Sequence, residues 1–255
     1  MRNLLTWPFR VLYGTYCWTT FLIFGLCALT LMLLVPGIAR RRRIARRTGL
    51  ISFAFMGIRL RTEGLDRLPG GPCIVVANHA SYLDGVVLMS TLPPRFAFVI
   101  KKEMDRVPLA SALLRRIGSA FVDRTNRHKG AMDARKVLRR ANEGESLVFF
   151  PEGTFSKQPG LLRFHTGAFA TAVRAGCAVV PVVIRGTRQI LPSHRVAPRP
   201  GTVTVQMLAV LEPAAGDTEA AAHLRDEARR LLLAHLGEPD LSHLAGQAPL
   251  VGETA

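Results

Sequence analysis

The sequence predicts an α/β fold: a mixed, mostly buried sheet with flanking helices, preceded by an N-terminal membrane helix. Three observations carry this expectation. Residues 11–39 contain no charged side chain. After residue 62, short runs rich in β-branched residues alternate with helical patterns. Apolar residues make up 49% of the 255-residue chain, ample for a packed core.

The uncharged run from Val11 to Ala39 would form a helix about 43 Å long, more than a hydrocarbon core of about 30 Å requires. Phe21–Val35 is its densest apolar part, Pro36-Gly37 is a natural stop, and Tyr16 and Trp18 suit an interfacial position. The run is longer than the roughly 7–15-residue core of a signal peptide and ends in arginines, which argues against a cleavable signal. Arg40, Arg41, Arg42, Arg43, Arg46 and Arg47 follow at once, against only Arg2 and Arg10 upstream. The positive-inside rule then places the rest of the chain on the cytoplasmic side of an inner membrane. The same arginines suit anionic lipid headgroups. A second apolar stretch, Gly49–Ile58, is too short to cross. It fits an interfacial segment, the second arm of a shallow two-helix anchor, or ordinary core. Residues 1–61 thus read as an anchor, 62–237 as the α/β domain and 238–255 as a loose tail.

Within the domain, Leu68-Pro-Gly-Gly-Pro72 is a turn cluster and Cys73–Ala77 (CIVVA) a buried strand. A helix over 82–91, a strand over Phe96–Ile100, a helix from Pro108 to Ile117 and a strand over Ser119–Val122 follow. Gly130–Asn142 is an Arg-rich amphipathic helix. Leu147–Phe150 reads as a strand, His165–Ala175 as a helix, and Ala178–Ile184 and Thr202–Val210 as strands. Asp217–Leu236 closes the domain as a long helix, with Asp217 as N-cap and Gly237 beyond its end.

The net charge of +16 is unevenly spread: +10 over residues 1–61, −2 over 62–94, +9 over 95–140 and −1 over 141–255. Each basic block points to an anionic partner. The four cysteines form no C-x-x-C pair, so neither a disulfide framework nor a zinc site is expected. No G-x-S-x-G elbow, Walker A loop, G-x-G-x-x-G or H-E-x-x-H is present. Nucleic acid is not expected as a partner, because no aromatic-bearing RNA-binding signature or basic zipper occurs.

Three stretches could carry chemistry. Asn78-His79-Ala80-Ser81-Tyr82-Leu83-Asp84 leaves the CIVVA strand, and imidazole there is suited to general-base work. Asp84 lies five residues on, about 140° around a regular helix from His79. The two meet only if His79 is in the turn and Asp84 in the first helical turn. Phe150-Pro151-Glu152-Gly153-Thr154-Phe155-Ser156 closes a strand with a carboxylate, a glycine N–H and a hydroxyl where α/β proteins bind ligands. Gly118–Arg124 ends a strand on an arginine, whose planar fork suits phosphate. Taken singly, each stretch is also an ordinary turn, cap or solvated arginine.

Together, in order and spacing, these stretches resemble the four-block pattern of the 1-acyl-glycerol-3-phosphate acyltransferase family. N-H-x-S-x-x-D matches 78–84, G-x-x-F-[IV]-x-R matches 118–124, F-P-E-G-T-x-S matches 150–156, and V-x-P-V-x-I matches Val179–Ile184 around Pro181. Lys101-Lys102-Glu103 is similar to the family's K-x-E segment, and Gly167-Ala168-Phe169 to its F-x-x-G-A helix start. The resemblance covers about residues 62–212. His165 departs from it, standing where many members have Lys.

The resemblance implies the glycerol-3-phosphate acyltransferase-like fold and an O-acyltransferase. His79 would be the base and Asp84 its orienter. Asn78, Ser81, Lys101, Arg124, Glu152, Gly153, Thr154, Ser156 and His165 would bind substrate. An acyl group would pass from acyl-CoA or acyl carrier protein to the sn-2 hydroxyl of 1-acyl-glycerol-3-phosphate, giving phosphatidic acid for phospholipid biosynthesis. Neither cofactor nor metal is implied beyond the thioester co-substrate, and anionic membrane lipids are the expected surroundings. Another lysolipid acceptor, such as a lyso-ornithine lipid, fits the same blocks. So does a non-catalytic lipid-binding tether, although an intact His79/Asp84 pair speaks against it.

Overall fold

A computed structural model describes residues 2–123, 127–214, 216 and 218–244. Two helices come first, α1 (Arg2–Leu34) and α2 (Ile38–Phe55), turning at Pro36-Gly37. Then follow β1 (Ile58–Glu63), β2 (Cys73–Ala77), α3 (Leu83–Thr91), β3 (Phe96–Lys101), α4 (Pro108–Arg116), β4 (Ala120–Val122) and α5 (Arg127–Asn142). The chain continues through β5 (Ser146–Phe149), α6 (Gly167–Ala175), β6 (Ala178–Arg185), α7 (Thr187–Ile190), β7 (Gly201–Met207) and α8 (Thr218–Leu236). Among the described residues the strands form one mixed sheet in the order β1-β7-β6-β2-β5-β3-β4. Every neighbouring pair is parallel except β6 with β7.

β2 is central and buried along its whole length, the pattern of a parallel strand covered on both faces. Its side chains alternate between two cores. Ile74 and Val76 pack with Val137 of α5, Phe169 of α6 and Leu232 of α8. Cys73, Val75 and Ala77 share the opposite core with Leu88 of α3, Phe53 of α2 and Cys17 of α1. Burying a side chain such as Phe53, 1% exposed, stabilises the fold by about 2 kcal/mol. The first two helices therefore lie on the same face of the sheet as α3. A third cluster joins Ala28 and Met32 of α1 to Ala45 of α2 and to Ile117.

The structure corrects three readings of the N- and C-terminal regions and narrows a fourth. Residues 58–63, placed at the end of the anchor by composition, form β1 and pair in register with β7. Of the readings open for Gly49–Ile58, ordinary core is the one the packing supports: 49–55 is the second half of α2, with Ser52 and Phe53 buried and Gly49 against Ser90 of α3, and Ile58 opens β1. Arg42, assigned to headgroups with its neighbours, is buried. Its guanidinium donates to the Ile117 carbonyl at 2.8 Å, the Arg95 carbonyl at 2.9 Å and Glu145 Oε1 at 2.5 Å. The start of the expected loose tail is docked: Leu161 and Asp240 bridge, and Leu241 is 7% exposed. Residues 245–255 and the expected N-cap Asp217 lie outside the described residues.

Candidate active site

The parallel strands β2, β3, β4, β5 and β6 end on one edge of the sheet, where α/β folds collect their ligand-binding groups. His79 leaves β2 at this edge in a non-helical turn, and α3 begins at Leu83. Asp84, in the first turn of α3, reaches back as the i,i+5 spacing requires. Its Oδ2 lies 2.8 Å from His79 Nδ1 and accepts the Ala80 and Ser81 amides at 2.6 and 2.8 Å. Asp84 is fully buried, whereas the His79 side chain is 20% exposed. The pair thus has a sealed orienting end and an open imidazole.

The third block holds the same turn from the other side. Glu152 Oε1 accepts the His79 amide at 2.6 Å, and Oε2 accepts the Leu162 amide at 2.8 Å. Burial pushes the Glu152 carboxyl up to about 8, even though the His79 and Leu162 amides and Arg188 pull it down. The Asp84 charge adds to the rise. The fourth block joins in through Ile184, whose N–H donates to Asn78 Oδ1 at 2.7 Å while its carbonyl accepts Asn78 Nδ2 at 3.0 Å. Ser81 Oγ donates to the Leu191 carbonyl at 2.7 Å.

These bonds revise three substrate assignments. Asn78, Ser81 and Glu152 are 2%, 0% and 3% exposed, and their polar atoms are committed to backbone partners. They hold the His79 turn in place through those bonds. Gly153 supports the same loop, its N–H donating to the Phe150 carbonyl at 3.0 Å. Thr154 and Ser156 are partly exposed on it, Ser156 Oγ accepting the Gln158 amide. Lys101 ends β3 on the same edge, with its ammonium 3.7 Å from Glu103. His165 is exposed where the loop enters α6, its amide donating to the Pro151 carbonyl at 2.8 Å. Arg124 lies outside the described residues.

Sequence reasoning missed two features. The first is an aromatic surround for His79: Phe150 stacks on its ring at 4.4 Å, Phe155 meets it edge-on at 4.6 Å, and Tyr82 meets Phe155 at 4.9 Å. All three lie inside the recognised blocks, but nothing in the pattern shows that they converge on one ring. The second is a latch on the loop that carries Glu152. Arg188 of α7 donates to the Ser156 carbonyl at 2.8 Å and pairs with Glu238 at 3.2 Å. Glu238 in turn accepts the Gly160 amide at 2.7 Å. Gly160 has φ +145, and a Cβ there would lie 2.3 Å from Leu241 Cγ, so glycine is required for the closing segment to fit.

Many cations of the second basic block are neutralised locally. Lys102 pairs with Asp123, Arg115 with Asp105, Lys136 with Asp133, Arg139 with Glu143 and Arg140 with Glu145. The +9 of that block is therefore not all available to a substrate.

Residues 59–185 match the family described as Acyltransferase. The chain is 30% identical to a 1-acyl-sn-glycerol-3-phosphate acyltransferase of Salmonella typhimurium, over 67% of this chain and 69% of that protein. It is 37% identical to the protein of that description in Haemophilus influenzae, over 48% of this chain and 51% of the relative. With a chloroplastic relative from Arabidopsis thaliana the identity is 34%, over 53% of this chain and 38% of the relative. The chain thus spans about half the length, or less, of several curated relatives it matches. Its fold is that of the 1-acyl-sn-glycerophosphate acyltransferase from Thermotoga maritima, with a TM-score of 0.71 at 24% identity over 90% of this chain and 95% of that one. With the His79–Asp84 pair and its supporting blocks assembled on one sheet edge, the chain belongs to the acyltransferase family that contains the 1-acyl-sn-glycerol-3-phosphate acyltransferases.

Proposed function

We propose that the chain acylates the sn-2 hydroxyl of 1-acyl-glycerol-3-phosphate, taking the acyl group from acyl-CoA or acyl carrier protein and supplying phosphatidic acid for phospholipid biosynthesis. The His79–Asp84 geometry carries this reading. With its Nδ1–H donated to Asp84, the imidazole keeps Nε2 as the proton acceptor. Nε2 removes the hydroxyl proton as the oxygen attacks the thioester carbonyl. The C–S bond then breaks, and the proton passes to the departing thiolate. The step calls on no further cofactor. Thr154, His165 and Lys101, each at least partly exposed on the same edge, would meet the phosphate of the acceptor.

We also infer that the protein works on one face of the membrane without crossing it, on the cytoplasmic side of the inner membrane. The stretch Pro8–Leu34 is long and apolar enough to cross, and only 22% of its most apolar window is buried. Yet α1 meets the domain along its length: Tyr13 donates to the Met56 carbonyl, Trp18 to the Val196 carbonyl, and Met32 packs with Ile117. Tyr13 to Met32 spans about 28 Å. A domain flanking that whole distance cannot sit outside a hydrocarbon core of about 30 Å while the helix threads it. An apolar helix lying in the interface satisfies both facts.

The test is transfer from labelled acyl-CoA and acyl carrier protein to lysophosphatidic acid by the full chain in mixed micelles, beside the His79→Ala variant. Phosphatidic acid formed by the wild type alone supports the reading. Equal turnover by both removes His79 as base. Product only with another lysolipid moves the acceptor, and none with any lysolipid favours a tether.

A further inference from the structure

One cationic surface is absorbed neither by the acyl-transfer site nor by local ion pairs. The loop 191–200 leaves α7 and returns to β7 by way of α1. Trp18 Nε1 donates to the Val196 carbonyl at 2.7 Å, and a Cβ on Gly14 would lie 2.8 Å from the Cβ of Ala197, so only glycine admits the loop this closely. Arg10 is one helical turn before Gly14 on the same face of α1. That contact brings Arg10 beside Arg195 and Arg199, all three exposed. Among the described residues no acidic side chain forms an ion pair with any of them. Arg199 lies below the usual arginine range, first through partial desolvation and then through the Arg195 and Arg10 charges. Arg199 is therefore close enough to feel the other two.

Their surroundings are apolar. Val196, between two of the arginines, is 78% exposed, and Val11, next to Arg10 on α1, is 47% exposed. An exposed valine at a loop tip, flanked by arginines with no acidic partner among the described residues and near a second exposed valine on α1, is the composition of a surface that enters lipid. Apolar side chains sink below the headgroups while guanidinium groups bind phosphate diesters. An acidic protein partner would meet the arginines but would leave Val196 and Val11 without a role.

We propose that Arg10, Arg195 and Arg199, with Val196 between them, form a second membrane-docking element that binds the phosphates of anionic phospholipids. This rests on the interfacial reading of α1 and adds a contact to it. The loop begins at Leu191, whose carbonyl holds Ser81 in the His79 turn. The docking element is thus joined by backbone to the active-site edge and sets how that edge meets the bilayer.

The experiment is co-sedimentation of the full-length protein with vesicles of phosphatidylglycerol and phosphatidylcholine in equal parts, and with vesicles of phosphatidylcholine alone. R10Q/R195Q/R199Q is compared with R135Q/R174Q/R230Q, which removes the same charge from α5, α6 and α8 on the opposite face of the sheet. Thermal unfolding confirms that both variants fold. At about fivefold per arginine near an anionic surface, the first variant is expected to lose about a hundredfold in affinity for the anionic vesicles, with little change on pure phosphatidylcholine. V196D is expected to weaken binding to both vesicles. Excess inorganic phosphate is expected to leave the bound fraction unchanged.

Equal behaviour of the two triple variants overturns the proposal, as does displacement by inorganic phosphate. Undisturbed vesicle binding with loss of acyl carrier protein binding would assign the arginines to an acidic protein and overturn the lipid reading. Failure of the wild type to bind any vesicle would overturn the interfacial reading of α1 as well. Binding by the wild type with an undisturbed R10Q/R195Q/R199Q variant overturns this proposal alone.

Discussion

Glu152 and His79 are joined through the backbone: the glutamate Oε1 accepts the histidine amide at 2.6 Å, while the imidazole itself turns to Asp84. A carboxyl group from one block thus places the main chain of another, with both its oxygens accepting backbone amides. Glu152→Ala leaves two buried amides without acceptors, at a cost of about 1–3 kcal/mol each. Lower unfolding temperature together with lower kcat is the expected outcome, measured by calorimetry and acyl-transfer assay. Loss of kcat at unchanged stability would instead place Glu152 in the chemistry.

The raised Glu152 group also predicts a pH dependence of stability. Its folded value of about 8 lies above the ordinary 4.5. The contribution of this group is therefore full below about pH 4.5 and declines as the pH rises toward about 8, by up to about 1.4 kcal/mol per unit. Denaturant unfolding from pH 5 to 8 should show this decline. Glu152→Gln, which cannot ionise, should flatten it.

The proposed role of His79 as base predicts a sharp activity loss without unfolding at position 79. His79→Ala should lower kcat by about a thousandfold and lower the melting temperature less than Asp84→Asn does, since the ring is partly exposed. Asp84→Asn should lower kcat at least about a hundredfold and also destabilise, because Oδ2 serves two buried amides. Steady-state kinetics with matched melting curves separate the two.

The latch predicts a distant residue with an effect on the active-site loop. Glu238→Ala strands Arg188, whose side chain is 10% exposed, at a cost of about 3 kcal/mol. Limited proteolysis should then cut within 156–160 before elsewhere, and kcat should fall although residue 238 is remote in sequence from both members of the pair.

Two adjacent arginines should behave oppositely. Arg42→Met removes one partner of a largely buried network and should cost about 3 kcal/mol. Arg43→Met, on the exposed side of α2, should stay within about 0.5 kcal/mol. Burial raises Glu145, but Arg140 and Arg42 outweigh it and hold the carboxyl below its ordinary 4.5. The network is thus present above that pH and weakens as the pH falls further. Urea titrations of the two variants at neutral pH provide the comparison.

What could be read from the sequence divides along physical lines. The central strand β2 and α3 were legible because an apolar run and its flanking turn are local signals. β1 was not: Ile-Arg-Leu-Arg-Thr-Glu buries only Ile58 on an edge strand, and its charges resemble the arginine run before it. The His79–Asp84 pair was legible from a five-residue spacing. The roles of Asn78 and Arg42 were not, because each depends on a partner about a hundred residues away, Ile184 or Glu145. Motif membership located those residues, but only tertiary contact shows whether a side chain faces the substrate or the backbone.

Cys17 of α1 shares a core with Cys73, Val75 and Ala77 of β2. This has a practical consequence. The first helix is a structural wall of the enzyme, and its removal would open that core to water. Fragments designed to begin at Ile58 would lack part of their own interior, and a foreign membrane helix spliced in its place would restore hydrophobicity without restoring fit. The first helix and the α/β domain are not interchangeable modules here, so the outer face of α1 is better altered by polar substitutions than removed.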